Sequence, residues 1–273
     1  MKKRAIVLPV ALCAALVVPG GQDQTTVTIE EDNGFRTISS NGVPNHRVGS
    51  FTEDDGDAIY VEPQSHRFRV TLEPRVQRRA TPVDRGYFGI ALNGVPFDGR
   101  AEEYWNDRSR SGWAYDTLRN GKALQLDQNN GHAQRGGSYH YHGSPNGLIN
   151  ALGESDKMRL LGWAADGFPI YDQFAHKDPK DPASPLVRIQ PSYRVRAGVR
   201  PTEPFGTFNG DFVEDWEYEV AFGDLDECNG RTGVTPEFPD GTYYYVITER
   251  FPGVPRFFRG TPDNSFSQRR RGR

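Results

Sequence analysis

The segment with the most concentrated chemistry is Tyr139-His140-Tyr141-His142. In an extended strand successive side chains point to opposite faces, so His140 and His142 share one face and the two tyrosines the other. Two imidazoles on one face offer nitrogen donors to a divalent or transition metal ion, zinc or copper before others. A third donor stands a short loop upstream, His132 in Asp127-Gln-Asn-Asn-Gly-His132, and a fourth further away, His46 in Asn41-Gly-Val-Pro-Asn-His46. The acidic group Asp224, Asp226 and Glu227 adds carboxylates. If the ion keeps an open position and activates water, Asp226 or Glu227 is the candidate general base. The competing reading is structural: four rings pack together and each imidazole bonds to backbone or carboxylate. His66, on the polar side of a strand pattern, and His176, in a charged segment, read as solvated.

Aromatic residues crowd Tyr243-Tyr244-Tyr245 and recur at Trp105, Trp113, Trp163 and Trp216. Exposed rings of this kind stack on sugars, although large aromatics also dominate β cores. The chain has no Gly-x-Ser-x-Gly elbow, no phosphate loop ending in Lys-Ser/Thr and no His-Glu-x-x-His helix, so ordinary serine hydrolase, nucleotide and zincin mechanisms lose support. A non-catalytic extracellular module that binds a glycan, a small molecule or a surface is therefore the alternative to a metal protein.

The elements that must position these residues read as strands. With 30 Gly and 20 Pro in 273 residues, the composition suits short strands joined by specific turns, and the fold class is mostly β: sandwich- or barrel-like antiparallel sheets with a few short helices. Phe68, Val70 and Leu72 alternate with Arg67, Arg69 and Thr71, and Phe212, Trp216, Tyr218 and Val220 share a face. Asn33-Gly34, Asn93-Gly94 and Asp166-Gly167 each divide two apolar runs, as hairpin turns do. Short helices are predicted at 101–105 and 114–118, and a long surface loop from His176 to Pro191. No internal repeat suggests a solenoid or propeller.

Met1-Lys2-Lys3-Arg4 followed by an apolar run of roughly 14 residues reads as an export leader over residues 1–21, too short for a membrane span. Three of the 33 basic residues leave with it, against 36 acidic ones, so nucleic acid is not an expected partner. Cys13 leaves too. Cys228 then has no internal partner and reads as a small buried apolar residue. Residues 264–273 end in Arg269-Arg-Arg-Gly-Arg273 and read as a disordered basic tail.

Gly89-Ile-Ala-Leu-Asn-Gly-Val-Pro-Phe97, Leu126-Asp-Gln-Asn-Asn130 with His132, Tyr139-His-Tyr-His142, Gly162-Trp-Ala-Ala-Asp-Gly-Phe-Pro-Ile-Tyr171, Gly223-Asp-Leu-Asp-Glu-Cys-Asn-Gly-Arg231, Thr235-Pro-Glu237 and Gly241-Thr-Tyr243 together resemble the YHYH family. The resemblance covers residues 86–263, with a β region at 22–85 packed on that domain. It implies an exported protein and places emphasis on Tyr139 to His142, His132, Asp166, Asp226, Glu227, Cys228 and Asn229, without implying an activity. Some members repeat a histidine in the late strand, where this chain has Tyr243-Tyr244-Tyr245.

Overall fold

The structure, a computed structural model, describes residues 24–53 and 55–268. The segment read as a leader and the final arginines lie outside them. Among the described residues the fold is mostly strands, with one α-helix, Asn146–Leu152, and a few 3-10 turns. No helix among the described residues is long and apolar enough to cross a membrane.

The predicted hairpins form. Val27–Asp32 and Phe35–Ser40 pair around Asn33-Gly34, and His66–Thr71 joins as a third strand. The first period-two pattern works as read, with Phe68 and Val70 in the core and Arg67 and Arg69 facing out; the second breaks, because Val213–Asp215 is a 3-10 turn, the strand is only Trp216–Tyr218 and Val220 is exposed. This sheet is fastened to the rest by Ile38, Phe68 and Val70, which share one core with Phe88 and Ile90, and by Ser40 Oγ donating to the Gly94 carbonyl at 2.6 Å.

The main sheet has eight strands in the spatial order Gly131–Gln134, Ser138–Tyr141, Pro96–Phe97, Gly89–Ala91, Leu160–Ala164, Pro169–Tyr171, Thr242–Val246, Gly230–Gly233. It is mixed: Tyr141 lies parallel to Phe97, and Ile170 parallel to Tyr245, while the other pairings are antiparallel. That order is a palindrome of two similar units. Gly89-Ile-Ala-Leu-Asn-Gly-Val-Pro matches Gly162-Trp-Ala-Ala-Asp-Gly-Phe-Pro, and Leu126-Asp-x-x-Asn-Gly131 matches Leu225-Asp-x-x-Asn-Gly230. The units meet at Ile90 opposite Trp163, with Gly89 opposite Ala164 and Ala91 opposite Gly162. Flanking bonds obey the same two-fold relation: Leu92 N donates to Leu161 O and Ala165 N to Phe88 O, both at 2.8 Å. The strands touch so closely here that a Cβ at Gly162 would stand 2.0 Å from the Ile90 carbonyl oxygen.

Some local expectations change. Residues 101–118 supply only 3-10 turns at Trp105–Asp107 and Ser109–Ser111. The 176–191 segment is partly a hairpin, with Phe174–His176 paired to Leu186–Arg188. The α-helix is not among the predicted elements; within it Gly147 N is held by Asn129 Oδ1 at 2.8 Å, and a Cβ at Gly147 would meet His46 Cγ at 2.3 Å. Residues 264–266 are packed and not disordered: they form a 3-10 turn in which Phe266 is buried and stacks on Phe68 with ring centroids 4.4 Å apart.

Candidate metal centre

The loop before His132 is shaped by one carboxylate. Asp127 Oδ1 accepts from Asn129 N at 2.8 Å and Gly131 N at 3.3 Å, and Asn130 takes the left-handed conformation (φ 53°) that Asn tolerates. The chain then turns into Gly131–Gln134, which pairs with Ser138–Tyr141 so that His132 lies directly opposite His140. Tyr139 and Tyr141 are fully buried on the other face of that strand, as the alternation requires.

On the histidine face, His132 Nε2 lies 3.2 Å from His140 Nε2 and 3.2 Å from His142 Nε2. These three form the group of metal-capable side chains among the described residues. His132 Nδ1 faces the Leu124 carbonyl oxygen at 2.9 Å. A carbonyl only accepts, so Nδ1 carries the proton and Nε2 of the neutral ring presents its lone pair to the other two imidazoles. Burial lowers the pKa of His140 strongly, with His142 and His132 adding to it; burial also lowers that of His142, again helped by His132. The neutral imidazoles that result are the form that ligates metal.

The three nitrogens lie within 4.8 Å of one another, and the two separations from His132 fit a common cation. Nitrogens bound about 2.0–2.1 Å from a tetrahedral ion stand about 3.3 Å apart, close to the separations from His132. His140 Nδ1 is buried without a hydrogen-bond partner. If His140 donates from Nε2 to His132, Nδ1 is an unmatched acceptor; if the proton sits on Nδ1, two lone pairs oppose each other at the centre. A bound cation removes the second conflict.

The other candidates are not brought to this point. His46 lies on the tyrosine face: its Nδ1 donates to the Arg47 carbonyl at 3.0 Å and its Nε2 accepts from the Tyr141 hydroxyl at 2.6 Å. Asp226 and Glu227 belong to the opposite end of the sheet. Asp226 is the counterpart of Asp127: Cys228 N and Gly230 N donate to its Oδ1 at 2.9 and 3.1 Å, and Tyr243 donates its hydroxyl at 3.0 Å. Arg259 bridges Asp226 and Glu227. Asp224 accepts from Gln190 N. His66 is half-buried and stacked on Phe68, not solvated, and His176 Nδ1 donates to Ser184 O. Cys228 is buried, which pushes its thiol pKa up to about 12.

The two-fold relation adds what sequence reading missed. His132, His140 and His142 occupy the places held in the second unit by Arg231, Tyr244 and Val246. There Arg231 Nε donates to the Tyr244 hydroxyl at 2.7 Å, and Tyr244 and Val246 sit in an apolar cluster with Tyr171 and Leu225. Both units keep the Asp, the Asn, the Gly and the Tyr that accepts or donates at the loop; one unit alone carries histidines. The repeated Leu-Asp-x-x-Asn-Gly and Gly-x-Ala-x-Asx-Gly-x-Pro strings were the available signal.

Comparison with protein families gives a match over residues 67–260 to the family described as YHYH protein. The chain belongs to the YHYH family. No curated protein and no solved structure matches it. The match takes in both units of the eight-stranded sheet together with most of the strand His66–Thr71. Within this YHYH domain the tyrosines of the eponymous motif are buried core donors, and its histidines form the polar centre on the opposite face.

Proposed function

We propose that the protein binds one divalent or transition metal ion, zinc or copper, through Nε2 of His132, His140 and His142. The observation that carries this reading is the convergence of three imidazole nitrogens within 4.8 Å of one another, two of the rings buried, with His132 Nε2 3.2 Å from each of the other two. Three protein ligands leave a coordination position for water or substrate, and an ion so held supplies Lewis acidity there. Asp226 and Glu227 take no part in this reading, because their carboxylates are engaged by Tyr243 and Arg259. The basic and apolar leader supports export to a secreted or periplasmic location, where such an ion would be acquired.

The test is elemental analysis of the protein without a histidine tag, beside His140→Ala/His142→Ala. About one equivalent of metal in the wild type, lost in a double variant that keeps its circular dichroism spectrum, supports the site. A wild type that neither retains nor rebinds zinc or copper refutes it.

A further inference from the structure

On the surface between the hairpin Tyr193–Val195/Trp216–Tyr218 and the segment Phe257–Phe258 lies a cleft of about 670 Å³. This is within the usual range for a small-molecule site, about 300–1,000 Å³. Its wall is aromatic. Trp216 and Phe251 stack with centroids 4.9 Å apart and planes 2° from parallel, and Tyr218 lies on the same strand face as Trp216.

The residues that line the cleft are predominantly basic. Arg78 and Arg79 are exposed at its edge and Arg256 lines it from within, while the single carboxylate in the lining, Glu227, is taken by Arg259. Arg256 lies 6.0 Å from the Phe251 ring centroid and has no carboxylate oxygen within ion-pair distance among the described residues. Three acids act on it through space, Asp116, Glu214 and Asp98, yet burial outweighs them and lowers its pKa. Asp98 holds Arg100 in a two-point pair, whereas Asp116 and Glu214 accept only from the backbone amides Leu118 N and Ala114 N, so their charges offset part of that of Arg256 through space without bonding its guanidinium. Arg256 is half-buried, and a guanidinium keeps its charge and its fork of donors, so donors that no carboxylate engages favour a planar anion entering the cleft.

We propose that this cleft is a ligand site, separate from the histidine centre, for a carboxylate carried on a six-membered ring. The carboxylate lies on Arg256 in a forked pair, the ring lies against the aromatic wall, and Arg78 and Arg79 attract the anion at the mouth. Two sources share this chemistry, an acidic sugar and an aromatic acid, and the probes separate them.

The test titrates the full chain with D-glucuronate and with benzoate at low salt by calorimetry and NMR, using glucose and benzyl alcohol as neutral controls. Saturable binding of at least one acid, with Kd of about a millimolar and no binding of its neutral control, is the expected result. Glucuronate alone identifies a saccharide site and benzoate alone an aromatic-acid site. Arg256→Gln weakens binding about tenfold or more, while His140→Ala/His142→Ala leaves it unchanged, so the outcome is independent of the metal reading. Should Arg256→Gln fold poorly, the exposed double variant Arg78→Gln/Arg79→Gln reports instead, with weaker binding and a smaller salt dependence. The proposal is overturned if neither acid binds, or if acid binding is indifferent to these substitutions.

Discussion

The hydroxyl of Tyr139 reaches the carboxylate of Asp127 from within the core, 2.9 Å from Oδ2 and 3.1 Å from Oδ1. Tyr243 makes the same contact with Asp226 in the second unit. Each pair ties the strand that follows a loop to the carboxylate that shapes the loop, so it sets strand register at both ends of the sheet. In the first unit that register places His132 opposite His140.

Tyr139→Phe leaves the part-buried Asp127 carboxylate short of one donor. A loss of about 1.5–3 kcal/mol follows, to be read from urea unfolding. Tyr243→Phe gives a loss of similar size but leaves metal content unchanged, because no histidine depends on its loop.

Bound metal should stabilise the fold by mass action. With free ion at about a thousand times Kd the gain is about 4 kcal/mol, so a chelator lowers Tm and added zinc or copper restores it. The same treatment does not move Tm in His140→Ala/His142→Ala. Asp226→Asn and Glu227→Gln retain the metal response of the wild type.

Asp166 supplies a pH test. Burial raises its pKa to about 6, against the hydrogen bonds from Tyr245, Gly260 N and Phe168 N. The folded state therefore holds a proton that the unfolded state releases near its ordinary pKa of 3.8. Stability from this group is full below that value, falls as pH rises toward about 6, and is flat above, a total of about 2–3 kcal/mol. Denaturation midpoints from pH 3.5 to 7 should lose this slope in Asp166→Asn. The equivalent residue Asn93 indicates that an amide suits the position: its Nδ2 donates to the Tyr141 hydroxyl at 2.9 Å.

Gly162→Ala is a test of the two-fold junction. Its Cβ would collide with the Ile90 carbonyl, a backbone atom that moves only if the two units separate. A cost of about 3 kcal/mol or more is expected. An Ala variant of Gly34, where the hairpin turn has open space, meets no such clash and loses only what its positive φ demands. Thermal melts of the two variants side by side distinguish steric contact from turn preference.

The sequence by itself determined the local features. Alternation assigned strands and faces, Asx-Gly pairs assigned hairpins, and a hairpin fixes which neighbouring residues can meet. That is why His140, His142 and His132 were legible as one group: all three lie on a single hairpin. Contacts between distant segments depend on how apolar faces pack, and packing alone sent His46 to the tyrosine face and Asp226 and Glu227 to the far end of the sheet. The same packing joined two units whose shared residues are few. Their common Asp, Asn and Gly are required by the backbone of each loop, whereas the residues around them were free to become three histidines in one unit and an Arg-Tyr pair beside an apolar cluster in the other. Arg256 acquired its place in an aromatic cleft in the same way, because only the folded chain decides which charges are left without a direct ion pair.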